Sequence, residues 1–221
     1  MTSTLAFDVY GTLIDPFEIS TKLNDYVGDK APQFAQIWRD KQIEYLFRRS
    51  LMQDYKDFPT CTRQALEFTN ERLQTELADG AKDTLMEKYR VLPAYPDVAE
   101  SLQKLKATDC RMYAFSNGHP NDLDHLLKHA GLSECLDGIV SVHSVQRYKP
   151  DPAVYQHFLD STNAEAKDAW LVSGNPFDVI GAQAAGWNTA WLKRDPNAVF
   201  DPWDIAPTVT IADIGELASA L

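Results

Sequence analysis

Four clusters of polar side chains each stand at the edge of a short apolar run or before a proline: Asp8 with Thr12, Ser116 with Asn117, Lys149, and Ser173 with Asn175 and Asp178. In "LAFDVYGTLID" the carboxylate of Asp8 follows an apolar run and precedes a Gly-Thr turn, where the chain must bend and a charge is hard to hide. Two chemistries suit such a residue. It caps backbone donors in the turn, or it is a nucleophile held at the carboxyl end of a buried strand. The other clusters also have ordinary readings. Ser-Asn-Gly after a strand makes a turn, a lysine before proline is a solvated charge, and an aspartate opening a helix caps it. Their joint order and their placement at strand ends favour one shared site.

The elements that would bring these clusters together can be read from periodicity. From Leu92 onward, helical stretches alternate with the short apolar runs "CRMYAFSNG", "GIVSV", "AWLVSGN", "TAWLK" and "TVTIAD". Strands that alternate with helices predict a parallel sheet, and "LAFD" belongs to it. From Glu18 to about Arg90 the chain is instead rich in helix formers, with Phe34, Ile37, Trp38, Ile43, Leu46 and Phe47 at spacings of three and four. The predicted fold is therefore α/β: a core of residues 1–15 and 92–221, with a helical block, 16–91, inserted after the first strand. Open α/β sheets bind ligands at the carboxyl ends of their strands, and the insertion would lie over that edge. "AYPDV" marks the return to the core, with Pro96 starting a helix.

Composition narrows the partners. The chain has 221 residues, 44% of them hydrophobic, enough for a substantial core. Its formal net charge of -11 opposes nucleic acid and anionic membranes as partners. Cys61, Cys110 and Cys135 are widely spaced and read as buried reduced thiols. With no basic, apolar leader at "MTSTLAFDVYG" and no run of about 18 apolar residues, a cytoplasmic location is expected. His125 and His129 have the spacing of a metal pair but lie among polar residues of "NDLDHLLKHAG", which reads as a solvated helix face.

The segments "FDVYGTLID", "FSNG", "YKPDPAVY" and "SGNPFD" resemble, in order, the four motifs of the haloacid dehalogenase superfamily. The resemblance runs end to end and includes a helical cap after the first motif, which implies that superfamily's Rossmann-like core. Within it, "IWRDKQIEYLFRRSLMQDYKDF" resembles the cap segment of the (S)-2-haloacid dehalogenases. Superfamily phosphatases carry a second aspartate two residues after the nucleophile, which protonates the leaving alcohol and helps hold magnesium; here that position is Tyr10. A halide leaves without a proton, so dehalogenation tolerates the change. The resemblance implies hydrolysis of short (S)-2-haloalkanoic acids to (R)-2-hydroxy acids through an Asp8 ester, without metal or cofactor, in a homodimer. A magnesium-dependent phosphohydrolase and a non-enzymatic binding protein of the same fold stay open as alternatives.

Roles follow from the same resemblance. Lys149 is the cation beside Asp8; at about 4 Å and an effective dielectric near 20, two such charges attract by about 4 kcal/mol. Arg39, Asn117 and Phe177 would cradle the departing halide. Ser116 and the backbone N–H groups of Val9 and Tyr10 would meet the substrate carboxylate. Thr12 and Ser173 would fix Asp8, while Asn175 and Asp178 would position Lys149 and the hydrolytic water, with Asp178 as the base. Tyr155 would hold Asp178 or Lys149, and Tyr10, Ile43 and Phe58 would form the apolar wall. Two departures from the family pattern stand out: Asp40 follows Arg39 and competes for its guanidinium, and Gly174 replaces a frequent serine.

Overall fold

A computed structural model describes residues 3–219, so residues 1, 2, 220 and 221 at the ends of the expected core lie outside the described residues. Six strands, β1 (Thr4–Phe7), β2 (Arg111–Ser116), β3 (Gly138–Ser141), β4 (Ala169–Ser173), β5 (Asn188–Leu192) and β6 (Val209–Ile211), form one sheet in the order β3-β2-β1-β4-β5-β6. Every neighbouring pair is parallel. All four residues of β1 are buried, as expected of a central strand covered on both faces. The strand order reverses direction between β1 and β4, and open parallel sheets bind ligands in the crevice beside such a reversal. Asp8 directly follows β1, and Ser173 ends β4.

Between β1 and β2 the chain runs through α1 (Ile19–Val27), α2 (Ala31–Leu51), α3 (Phe58–Leu73), α4 (Asp79–Tyr89) and α5 (Val98–Lys106). The first four fill the stretch read as an insertion. α2 and α3 are locked together by buried apolar side chains and by a bond from Trp38 Nε1 to the Thr62 carbonyl, 2.9 Å. The break between them is set locally: Gln53 takes a positive φ, and Asp57 caps α3 by accepting from the Thr60 N–H at 2.9 Å. The remaining helices, α6 (Pro120–His129), α7 (Pro152–Thr162) and α8 (Pro176–Ala184), each follow a strand or its loop, with proline in the first turn.

Two expectations need correction. The helix after "AYPDV" starts at Val98 rather than Pro96, and the Asp97 carboxylate before it goes to Arg194 and to the Ile214 N–H instead of capping. Cys61 and Cys135 are buried free thiols, but Cys110 is only half-buried. His125 and His129 are exposed on α6. Among the described residues no helix is long and apolar enough to cross a membrane, and no group of three or more His, Cys, Asp and Glu is placed to hold a metal ion.

Candidate active site

The sheet carries Asp8 to its carboxyl edge, where the Asp8 N–H still bonds to the Val172 carbonyl at 3.0 Å and fixes the backbone. Its side chain has two unlike oxygens. Oδ2 accepts from Thr12 Oγ1 at 2.9 Å, Asn175 Nδ2 at 2.7 Å and Ser173 Oγ at 3.4 Å. Among the described residues Oδ1 meets Lys149 Nζ alone, at 3.3 Å. This aspartate is no helix or turn cap; its carboxylate belongs to a network of side chains.

Thr12 joins two loops, because its hydroxyl also accepts from the Gly174 N–H at 2.9 Å. Asn175 stands at the N-cap of α8, yet its side chain makes no cap bond. It is spent on Asp8 and, at 3.0 Å, on the Tyr10 carbonyl. The loops after β1 and β4 touch so closely that a Cβ at Gly174 would lie 2.3 Å from the Gly11 carbonyl oxygen, which accounts for glycine at this position.

Lys149 is 1% exposed, so the solvated-charge reading does not apply to it. Its ammonium donates to Asp178 Oδ2 at 2.8 Å and to the Phe115 carbonyl at 2.8 Å, and lies 4.1 Å from the centre of the Phe115 ring. Its backbone N–H donates to Asn117 Oδ1 at 3.0 Å. Asp178 is fully buried, and Tyr155 donates its hydroxyl to Asp178 Oδ1 at 2.9 Å. Burial pushes the Asp178 carboxyl up to about 6, opposed by Lys149 and reinforced by the Asp8 charge. Burial likewise raises the phenols of Tyr155 and Tyr10, which stay neutral.

Above this network, α2 presents Arg39, Gln42, Ile43 and Leu46 at helical spacing on one face. Arg39 Nη2 donates to the Tyr10 carbonyl at 3.0 Å, so the helix is closed onto the loop after Asp8. Asp8, Arg39, Ile43, Leu46, Ser116, Asn117, Lys149, Asn175 and Phe177 enclose, with Tyr10 and Phe58, a cavity of about 10 Å³. Tyr10 stacks on Phe58 with ring centres 5.0 Å apart, and Phe177 meets Phe47 of α2 edge-on at 5.0 Å.

Residues 2–186 match the family model of the haloacid dehalogenase-like hydrolases. An (S)-2-haloacid dehalogenase of Burkholderia cepacia is 38% identical over 86% of this chain and 83% of its own length. One from Pseudomonas sp. (strain YL) is 33% identical over 97% and 95%. This chain belongs to the haloacid dehalogenase-like hydrolases, in the (S)-2-haloacid dehalogenase group. The L-2-haloacid dehalogenase of Xanthobacter autotrophicus, solved with chloropropionic acid covalently bound, superposes with a TM-score of 0.91 at 28% identity, covering 99% of this chain and 98% of that one.

In this haloacid dehalogenase-like hydrolase the residues singled out from sequence converge, with two changes of partner and one alternative decided. Asn175 holds Asp8 rather than Lys149; Lys149 is placed by Asp178 and the Phe115 carbonyl. Of the two partners expected for Tyr155 it takes Asp178, through both its carboxylate and its main-chain oxygen. Asp40 is exposed and accepts from Gln36 Nε2 at 2.8 Å, so it does not take the Arg39 guanidinium. Sequence reasoning missed Gln42, whose spacing of three from Arg39 was the available signal. It also missed Arg194, which donates to the Thr12 carbonyl at 2.8 Å and steadies the loop after Asp8.

Proposed function

We propose that this chain hydrolyses short (S)-2-haloalkanoic acids to (R)-2-hydroxy acids, with residues 16–91 acting as a cap over the core of 1–15 and 92–221. The observation that carries the reading is the asymmetry of Asp8: among the described residues Oδ2 is held by three side-chain donors, while Oδ1 has one contact, to Lys149 at 3.3 Å, in a small, largely closed cavity. Oδ1 is the proposed nucleophile. It attacks the α-carbon opposite the carbon–halogen bond, the bond's electron pair leaves with the halide, and the carbon inverts. Excluding water from the carboxylate keeps it reactive.

Arg39, the amide of Asn117 and the edge of Phe177 receive the halide, where negative charge develops. Ser116 and the N–H groups of Val9 and Tyr10 take the substrate carboxylate. Water then adds to Cγ of the Asp8 ester and the carbon–oxygen bond to Cγ breaks, so the product keeps the former Oδ1 and Asp8 regains an oxygen from water. Asp178, the buried carboxylate left free while Asp8 is esterified, is assigned the proton from that water, and burial raises it to about 6. Tyr10, Ile43 and Phe58 limit the length of the substrate side chain. The covalent adduct in the Xanthobacter autotrophicus relative supports an ester intermediate. We also propose a cytoplasmic homodimer; Leu51 and Met52, largely exposed at the end of α2, offer apolar surface to a second copy.

The test is halide release from (S)-2-chloropropionate with chelator present. Native protein should release chloride and form (R)-lactate, and Asp8→Ala should be slower by at least about 1000-fold. In a single turnover in heavy-oxygen water, the first lactate should carry ordinary oxygen from Asp8. Label in that first product would mean direct attack by water and would refute the ester.

A further inference from the structure

Gln42 is wholly buried on α2 and has no part in the chemistry described so far. Its Oε1 accepts from Arg39 Nη1 at 2.7 Å and from the Tyr89 hydroxyl of α4 at 3.2 Å. Its Nε2 donates to Thr62 Oγ1 of α3 at 2.6 Å, and that hydroxyl donates to the Phe58 carbonyl at 2.7 Å. The amide cannot be reversed, because its NH2 would then face the N–H of Arg39. One side chain thus ties three helices to the guanidinium.

We infer that Gln42 is a positioning residue that sets where Arg39 presents its free N–H groups to the departing halide. Nη1 is anchored on Gln42 and Nη2 on the Tyr10 carbonyl, one from the helical block and one from the loop after Asp8. A planar guanidinium fixed at two nitrogens has its orientation determined, and its remaining donors are then directed at the cavity. Without Gln42, Arg39 loses its anchor on Nη1 and keeps the Tyr10 carbonyl and the neighbouring Tyr89 hydroxyl, so its plane is less tightly fixed. Donors that stabilise a developing charge act only when they are already in place, so the loss falls on the chemical step.

The inference rests on the proposed halide role of Arg39, and the experiment separates the two. Turnover of (S)-2-chloropropionate and (S)-2-bromopropionate is compared in native protein, Gln42→Met, Gln42→Glu, Arg39→Ala and the Arg39→Ala/Gln42→Met double variant. Chloride is the poorer leaving group and needs the donors more. Gln42→Met should lower kcat on the chloride by at least about tenfold, and on the bromide several-fold less, with KM within about threefold. In the Arg39→Ala background, Gln42→Met should add less than about twofold, because the two residues act as a unit.

Equal losses on both halides, an unchanged kcat, or losses that multiply fully in the double variant would each overturn the positioning role. Arg39→Ala at native turnover overturns the halide role together with the inference, whereas a slow Arg39→Ala beside an unaffected Gln42→Met overturns the inference alone. If Gln42→Met does not fold, Gln42→Glu decides. It fills the same volume and keeps both acceptor contacts, but its charge offsets that of Arg39, so the same chloride-selective fall is expected; a loss equal on both halides overturns the role.

Discussion

Asp178 couples the protonation of the site to its geometry. As a carboxylate it accepts from Lys149, which in turn reaches Asp8 Oδ1; once protonated it no longer holds that ammonium by charge. Burial raises it from 3.8 to about 6, so kcat should fall as pH drops through about 6. Stability from this group has the opposite sign. The folded state holds the proton to a higher pH than the unfolded chain does, so the contribution of Asp178 to stability declines as pH rises from about 4 to about 6 and is constant above. Asp178→Asn should remove the acid limb from residual activity and flatten the change of thermal midpoint over that window. A limb of unchanged position in the variant would assign the titration elsewhere. The residues of this site were legible where type and strand-end placement sufficed, as with Asp8, Lys149 and Asp178. The partners were not, because which of Asn175 or Asp178 meets Lys149 depends on how the loops after β1, β3 and β4 pack.

α8 shows an element giving up stability for the site. Asn175 occupies its N-cap but directs its amide to Asp8 and the Tyr10 carbonyl, leaving the helix without a side-chain cap. Serine caps as well as asparagine and is too short to reach Asp8. Asn175→Ser should therefore leave stability unchanged or raise it by up to about 1 kcal/mol, while halide release falls by about tenfold. Thermal melts and chloride release on the same sample check both halves, and a variant that loses stability in step with activity would count against the trade. Beside it, Gly174→Ala should cost about 1–3 kcal/mol, since the added Cβ meets backbone 2.3 Å away. Strands and helices themselves were readable from periodicity. The use of Arg39 was expected on α2, but the part of Gln42 was not, because a polar residue on a helical face looks solvated until α3 and α4 are packed over it.

The molecule is closed around Asp8, the proposed nucleophile. About 10 Å³ beside Asp8 holds no more than roughly one water, so α2 and the loop after Asp8 must part before a haloacid reaches Oδ1. Tyr10 and Phe58 also wall a larger, open hollow of about 440 Å³, and entry of a haloacid through that hollow is testable by its charge. It carries Asp57, Glu87 and Asp122 against the single Arg90, and the whole chain has a net charge of -11. Local and global fields therefore both repel an anionic haloacid. Screening this repulsion should raise kcat/KM for (S)-2-chloropropionate by about twofold between roughly 10 and 200 mM ionic strength in a halide-free salt, with kcat unchanged. Glu87 lies at the rim, paired with Arg90 at 3.2 Å and far more exposed than any group around Asp8. Glu87→Gln should raise kcat/KM at low salt and make it less salt-dependent, because it removes one negative charge from the hollow while Arg90 stays paired with Asp122 at 2.9 Å. A kcat/KM that falls with salt in the native protein would mean that the approach attracts anions, and would place the entrance on another face.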